Sequence, residues 1–254
     1  MKCKLCLEEK PLVKAHIIPD FIYKNLELYE PDKKGQGRVH VGIVRNNKFS
    51  YNSKGLPTGI YDRDILCADC DGKIIGAYED YAKKVLSRYF MDLDKVSFDK
   101  VFDAELRRNY LVQRGVDYAK FKLFLLSIFW RGSVSCHGFS SEIDLGVERN
   151  EIIRKMILYG DPMEPEDFCS ILWYMNDPIV HKTFLTNFKR SQEFNSSYSF
   201  VVGNLLFCFF SNRNDIPAFL GSCVLSYDGD LKMLELPGEL IKPTLNSFIG
   251  STYF

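Results

Sequence analysis

Apolar residues recur at helical spacing in three stretches of the chain. The helices predicted from them cover residues 71–88, 117–134 and 147–159. The second helix is almost continuously apolar, whereas the third carries its apolar side chains on one side. Residues 93–116 follow neither the helical nor the strand period, and they fit a connecting helix or an extended segment.

Short runs of β-branched and aromatic residues begin near residue 168 and indicate strands. The predicted strands cover residues 169–174, 182–188, 198–202, 205–210, 223–227 and 231–236. The dipeptide Asp228-Gly229 between the last two is typical of a tight β-hairpin turn.

Closer to the N-terminus, residues 38–44 and 48–51 alternate between polar and apolar positions and predict a hairpin. The whole pattern predicts an α+β fold in two domains. An N-terminal unit covers residues 1–92, and a partner domain of helices followed by an antiparallel sheet covers residues 93–254.

Composition and charge narrow the class of protein only a little. Hydrophobic residues make up 46% and charged residues 26% of the chain, as in ordinary soluble globular proteins. Residues 1–90 hold 16 basic and 12 acidic side chains, whereas residues 91–254 hold 17 basic and 21 acidic side chains. This asymmetry is compatible with nucleic acid on the N-terminal side, but it is far weaker than in a strongly basic nucleic-acid-binding domain.

The apolar runs and the N-terminus indicate where the protein works. No apolar run approaches the roughly 20 residues that cross a bilayer, and no apolar run follows the charge at the N-terminus as in a secretory signal. We therefore expect a soluble, cytoplasmic protein in a reducing compartment, with no membrane partner.

Two C-x-x-C pairs, Cys3-Lys4-Leu5-Cys6 and Cys67-Ala68-Asp69-Cys70, are the strongest local signal in the chain. In a reducing compartment such pairs bind metal more often than they form disulfides. Four thiolates are the ligand set of a structural zinc site, so we predict one Zn²⁺ bound by Cys3, Cys6, Cys67 and Cys70. The alternative is four ordinary buried cysteines.

The segment Ala15-His16-Ile17-Ile18-Pro19 lies between the two pairs, followed by the predicted hairpin and, after Cys70, by a helix. This order resembles the zinc-containing branch of the HNH endonuclease family, whose catalytic core is a ββα-metal, treble-clef-like unit. The resemblance covers roughly residues 1–90. It implies that His16 is the general base that deprotonates water for attack on a phosphodiester. It also implies a divalent cation, Mg²⁺ or Mn²⁺, that polarises the phosphate.

Three positions depart from the family pattern. Ala15 stands where many members carry an acidic metal ligand, Asp62 stands in place of the middle Asn, and Asp71 stands in place of the closing His or Asn. Carboxylates are good ligands for Mg²⁺ and Mn²⁺, so Asp71 is the candidate ligand of the catalytic metal and Asp62 a candidate catalytic residue. Glu79 could supply a second oxygen, although an ideal helix would separate it from Asp71 by about 12 Å along its axis.

Each of these residues also has a structural interpretation. His16 could be a satisfied core histidine beside the cysteines, Asp71 a helix-capping acid, and Glu79 part of a solvated helix face. Basic residues near His16 could contact phosphates, or they could simply be solvated. The candidate nucleic-acid-binding residues are Arg38, Arg45, Lys48, Arg63 and Lys73.

These observations lead to three hypotheses about function. The first is a metal-dependent HNH-type endonuclease that acts on DNA, with a C-terminal domain that binds a protein partner or dimerises. By analogy, such a nuclease would serve defence against phage or other foreign DNA. The second is a catalytically degenerate, zinc-stabilised module that binds nucleic acid or protein, which Ala15 and the missing second histidine favour. The third is a purely structural zinc fold that serves as an interaction arm in a toxin or defence complex.

Overall fold

The computed structural model describes residues 1–24, 59–90, 99–104, 107–177, 180, 186, 188–191 and 197–249. For residues 29–31, 37–39, 42–45, 48–51, 90 and 249 it describes the backbone alone.

The described residues form a mixed α+β fold. The helices are α1 Asp20–Lys24, α2 Gly76–Leu86, α3 Tyr118–Val134, α4 Gly146–Tyr159 and α5 Gly238–Ile249. The N-terminal strands are β1 Ala15–His16, β2 Tyr29–Pro31, β3 Gly37–Val39, β4 Gly42–Arg45, β5 Lys48–Tyr51 and β6 Tyr61–Asp62. The remaining strands are β7 Asp99–Asp103, β8 Arg108–Gln113, β9 Cys169–Tyr174, β10 Lys189–Arg190, β11 Ser197–Val202, β12 Leu205–Phe210 and β13 Leu231–Glu235.

Strands β7 to β13 form one seven-stranded sheet in the order β10-β11-β12-β9-β13-β8-β7. Its neighbours are antiparallel except for β9 and β13, which are parallel. The prediction of an α+β fold with a mainly antiparallel sheet is therefore confirmed. Smaller two-stranded pairs, β1 with β6, β2 with β3, and β4 with β5, lie in the N-terminal part of the chain.

Helix α3 is the centre of the molecule because almost every side chain along it is buried. The Asp117 carboxylate caps its first turn by accepting a hydrogen bond of 3.0 Å from the backbone N–H of Lys120. The Phe129 ring packs against Phe209 and Phe200 of the sheet, with ring centroids 4.8 and 5.6 Å apart. One continuous apolar cluster runs from the N-terminal cysteines through α3 to this face of the sheet. The opposite face is covered partly by α5.

The predicted helices over residues 117–134 and 147–159 are confirmed as α3 and α4. The helix predicted after Cys70 begins as a π-helical segment, Cys70–Ile75, before it continues as α2. Residues 93–116, for which the pattern was ambiguous, contain the antiparallel pair of β7 and β8. No described helix combines the length and apolar character that crossing a lipid bilayer requires.

The predicted hairpin around Asp228-Gly229 is wrong. Residues 218–223 form a 3₁₀ turn, and β13 pairs with the distant strands β8 and β9 rather than with residues 223–227. The local turn itself is present, since Gly229 has φ +75° and its N–H donates to the carbonyl of Ser226 at 3.1 Å. Turn chemistry is local, whereas strand pairing depends on partners far along the chain. Most of the strand predicted over residues 182–188 lies outside the described residues.

Candidate metal centre and the histidine beside it

The four cysteines predicted to bind zinc form one cluster. Their sulfur atoms all lie within 4.8 Å of one another, and the Sγ atoms of Cys6 and Cys67 are 4.0 Å apart. A tetrahedral zinc with Zn–S bonds of about 2.3 Å places its sulfurs about 3.8 Å apart, so the cluster fits one zinc ion after small adjustments. All four cysteines are free thiols rather than disulfides.

Backbone hydrogen bonds hold the two cysteine turns together. The N–H of Lys4 donates to the carbonyl of Ile65 at 2.8 Å, and the N–H of Cys67 donates to the sulfur of Cys3 at 3.4 Å. In the first turn the N–H of Leu7 donates to the carbonyl of Cys3 at 2.9 Å. Burial would raise the pKa of Cys3, but N–H groups aimed at its sulfur outweigh that effect and lower the pKa to about 7.

A neighbouring thiol has the opposite shift. Burial, together with the surrounding sulfurs, raises the pKa of Cys70 well above its ordinary range. Four crowded thiolates repel one another, so a bound cation that compensates their charge would favour the loss of all four protons.

His16 lies at the end of β1, directly opposite Tyr61 of β6. Its side chain is half-buried, with the rings of Tyr23 and Tyr61 at centroid distances of 6.4 and 6.5 Å. Gly59 precedes β6 with φ +73°, and a Cβ atom at this position would lie 2.3 Å from the Tyr23 ring. Only glycine therefore allows the chain to pass Tyr23 and present Tyr61 to His16.

Arg131 of α3 is the residue that connects this strand to the rest of the protein. Its side chain is 1% exposed, and Nη1 donates to the backbone carbonyl of His16 at 2.6 Å and to Oε1 of Glu79 at 2.7 Å. Its Nε donates to the carbonyl of Ser127 at 3.1 Å. The sequence prediction missed this role. The sequence did carry a signal for it: Arg131 is a cation inside a helix that is otherwise apolar, and a charge buried there requires a partner.

Asp71 lies in the first turn of the π-helical segment, directly after the last cysteine. Burial raises the pKa of its carboxyl group, with a smaller contribution in the same direction from Glu79, whereas the charges of Arg131 and His16 lower it. His16, Asp71, Glu79 and Arg131 therefore lie in one electrostatic environment. In the π turn the N–H of Gly76 bonds to the carbonyl of Asp71, so this turn is wider than an α-helical turn. Glu79 is therefore rotated about the helix axis, relative to Asp71, from the position that an ideal α-helix would give it.

Asp62 is hydrogen-bonded to residues at and after the C-terminal end of α3 and to its own turn. Its carboxylate accepts hydrogen bonds from Oγ of Ser135 at 2.6 Å, from the N–H of Asp64 at 2.8 Å and from the N–H of Cys136 at 3.2 Å. Burial would raise the pKa of Asp62, but these donors keep it below the ordinary value. The residue thus anchors the C-terminal end of α3 to β6, and its catalytic role remains a prediction.

Two further contacts attach the cysteine unit to α3 and α4. Nη1 of Arg154, a buried residue of α4, donates to the carbonyl of Leu5 at 2.6 Å. Nζ of Lys4 donates to the carbonyl of Val134, the last residue of α3, at 2.5 Å. The cysteine turns are therefore fixed by the same two helices that carry the core.

The predicted nucleic-acid-binding residues have different surroundings. Arg63 is exposed and lies over the Tyr61 ring at 5.5 Å, and Nζ of Lys14 lies 4.0 Å from the centroid of the same ring. Lys73 is exposed and forms an ion pair of 2.8 Å with Asp69. The side chains of the other three predicted residues, Arg38, Arg45 and Lys48, lie outside the described part of the chain.

Among the described residues, the four cysteines are the only group of at least three His, Cys, Asp or Glu ligand atoms that lie within 4.8 Å of one another. His16, Asp71 and Glu79 share an environment, but they do not form a preassembled three-ligand site. No family model, curated protein or solved structure matches the chain.

Proposed function

We propose that this chain is a zinc-stabilised, HNH-type endonuclease that hydrolyses phosphodiester bonds in DNA. One observation carries the proposal. Burial raises the pKa of a partly buried carboxylate, Asp71, which directly follows Cys70 of the cluster, and the charge of a half-buried histidine, His16, acts to lower that pKa. The order of these features along the chain is that of the family pattern described above.

The roles of the protein groups follow from their surroundings. The cysteines hold a structural zinc and take no part in the chemistry, because four protein ligands leave no open position on the metal. The imidazole of His16 accepts the proton of the attacking water. The guanidinium of Arg131 fixes the backbone of His16, so the imidazole remains at one place relative to Asp71.

In this proposal Asp71 would hold the Mg²⁺ or Mn²⁺ ion with few other protein ligands. Proteins usually hold Mg²⁺ through one or two carboxylates, with water and substrate phosphates completing the shell. The burial that raises the pKa of the Asp71 carboxyl leaves its ionised form short of solvation, and a bound cation would supply the missing compensation. When bound, such an ion polarises the phosphate and stabilises the leaving oxygen.

The family resemblance implies DNA as the substrate, and analogy with nucleases of this kind implies a role in defence against phage or foreign DNA. The C-terminal domain would bind a protein partner or a second copy of the chain. A cleavage assay tests the central claim. Zinc-loaded protein is incubated with plasmid DNA and, separately, with RNA, in Mg²⁺ or Mn²⁺, beside the variants His16→Ala and His137→Ala.

We expect the wild type to nick or linearise DNA. His16→Ala should lose activity by about a hundredfold or more, as expected for the loss of a general base. His137→Ala, which removes a histidine in the turn after α3, should retain activity. A wild type that leaves both nucleic acids intact in either metal, or a His16→Ala protein as active as the wild type, would contradict the proposal.

A second candidate function is a catalytically degenerate module that binds nucleic acid or protein. Its specific support is that nearby carboxylates are already engaged, Glu79 by Arg131 and Asp62 by Ser135. Retained DNA binding in gel-shift assays, without cleavage in either metal, would favour this module over the nuclease.

A further inference from the structure

A polar cavity of about 320 Å³ lies in the C-terminal sheet, apart from the cysteine cluster and His16. Its lining comes from the start of β8, the residue Asn176 beyond β9, and the connection between β13 and α5. The lining side chains that carry polar groups are Arg107, Arg108, Asn109, Asn176 and Glu235.

The topology brings these groups together. Strands β9 and β13 are the parallel pair of the sheet, so their carboxyl ends meet at the same edge. Strand β8 is antiparallel to β13, so its first residue, Arg108, lies at this edge as well. In open α/β sheets ligands commonly bind beyond the carboxyl ends of the parallel strands, and β9 and β13 provide one such pair of ends here.

The cavity carries an excess of positive charge. Among the described residues, neither Arg107 nor Arg108 has an ion-pair or hydrogen-bond partner for its side chain. The carboxylate of Glu235 does not neutralise them, because it accepts hydrogen bonds from Nζ of Lys100 at 3.2 and 3.4 Å. Asp103 lies opposite Arg108 in the β7–β8 pair, but among the described residues Arg108 forms no ion pair with it. The two adjacent guanidinium groups repel each other, and an anion between them reduces that repulsion.

Further donors face the same space. The amide groups of Asn109 and Asn176 can each donate hydrogen bonds, and α5, a helix of 12 residues, begins at Gly238 in the lining. The positive end of its dipole adds to the potential of the arginines. The helix end is secondary to the arginines, which alone provide the fork geometry that binds an anion through two parallel hydrogen bonds.

We infer that this cavity binds the terminal phosphate of a small molecule. A phosphate group has more acceptor oxygens than a carboxylate, so it can offer each of the two guanidinium forks its own oxygens. The volume is at the lower end of the range for small-molecule pockets, so the ligand is small. The acidic residues Glu235, in the lining, and Glu239, in the first turn of α5, disfavour the approach of a long polyanion such as nucleic acid.

The test measures binding and is independent of nuclease activity. Isothermal titration calorimetry of the zinc-loaded, full-length chain uses three probes: inorganic phosphate, adenosine 5′-monophosphate and a short DNA oligonucleotide without a terminal phosphate. The variants are Arg107→Gln, Arg108→Gln and Asn176→Asp, of which the last places a carboxylate in the cavity while keeping both arginines. The matched control is Arg114→Gln, at the far end of the same strand, where Arg114 pairs with Asp99 at 3.0 Å.

We expect the wild type to bind phosphate and the monophosphate, with each cavity variant weakening binding by about tenfold or more and Arg114→Gln leaving it unchanged. Thermal unfolding in phosphate-free buffer confirms that each variant is folded. The inference is overturned if the wild type does not bind phosphate at millimolar concentration, or if all variants bind equally. Tighter binding of the oligonucleotide than of the monophosphate would also overturn it, in favour of a nucleic-acid backbone site.

Discussion

At the scale of single residues, Arg131 links the stability of the protein to the candidate site. One buried guanidinium donates to the backbone of His16 and to Glu79, which are 115 and 52 positions away in the sequence. A buried ion pair contributes little net stability relative to an apolar pair, but removal of one partner leaves a charge without compensation. Arg131 therefore makes the position of His16 depend on the packing of α3.

We predict that Arg131→Met destabilises the zinc-loaded protein by about 3–5 kcal/mol, because Glu79 then lies partly buried without a partner and the carbonyl of His16 loses its donor. Urea unfolding measures the change. Arg149→Met, at an exposed position of α4, serves as the control and should change the free energy of unfolding by no more than about 0.5 kcal/mol. Equal effects of the two substitutions would show that the buried contacts contribute nothing.

At the scale of secondary structure elements, α3 contains a second buried cation, Lys122. Its Nζ donates to the hydroxyl of Tyr118 at 3.1 Å and to the carbonyl of Glu164 at 2.5 Å, and the residue is 4% exposed. Burial, which acid groups nearby only partly offset, lowers the pKa of Lys122 to about 8. The helix therefore carries a cation whose solvation is incomplete at neutral pH.

This shift predicts a specific dependence of stability on pH. Between pH 8 and the unfolded value of 10.5, the unfolded chain still holds the Lys122 proton that the folded chain has released. The free energy of unfolding therefore rises with pH across this window, by up to about 3 kcal/mol from this residue. Lys122→Met should abolish that rise, as measured by urea unfolding at several pH values. The exposed substitution Lys84→Met should retain it, and parallel curves for wild type and Lys122→Met would contradict the prediction.

The elements also differ in how well the sequence predicted them. Helices α3 and α4 were predicted almost to the residue, because their periodicity, the cap at Asp117 and the left-handed Gly160 are local signals. Strand β13 was located correctly, but its partners were not, because β8 and β9 are far away in the sequence. The π-helical start of the helix after Cys70 carries no sequence signature that differs from an α-helix.

At the scale of the whole molecule, the cysteine cluster and the partner domain predicted to begin at residue 93 share one apolar core. Arg131, Arg154 and Lys4 add hydrogen bonds between them. Loss of a metal bound by the cluster should consequently affect more than the N-terminal unit. When the cysteine turns open, Arg154 of α4 loses the carbonyl of Leu5 as its acceptor, and the carbonyl of Val134 in α3 loses Lys4 as its donor.

We predict that one zinc binds per chain and that its removal by a chelator unfolds residues 1–24 and 59–75, because a structural zinc supplies much of the folding free energy of such a unit. Elemental analysis measures the stoichiometry, and hydrogen exchange measures the opening, which should extend into the ends of α3 and α4. Cys67→Ser should reproduce the effect, whereas Cys136→Ser, at an exposed cysteine outside the cluster, should not. Well under one zinc per chain, or unchanged exchange after chelation, would refute the prediction.

The sequence by itself determined the features that depend on neighbouring residues: the α+β class, the main helices, and the two cysteine turns whose spacing predicted a single cluster. Ligand spacing and apolar periodicity are local properties, so one sequence suffices to recognise them. Only the tertiary structure decided that the buried charge of Arg131 holds His16 and that Asp62 anchors the end of α3. It alone also showed that Arg107 and Arg108 lie at the carboxyl ends of a parallel strand pair. These arrangements join residues far apart in the chain, and their energies come from burial and charge compensation that exist only once the chain has folded.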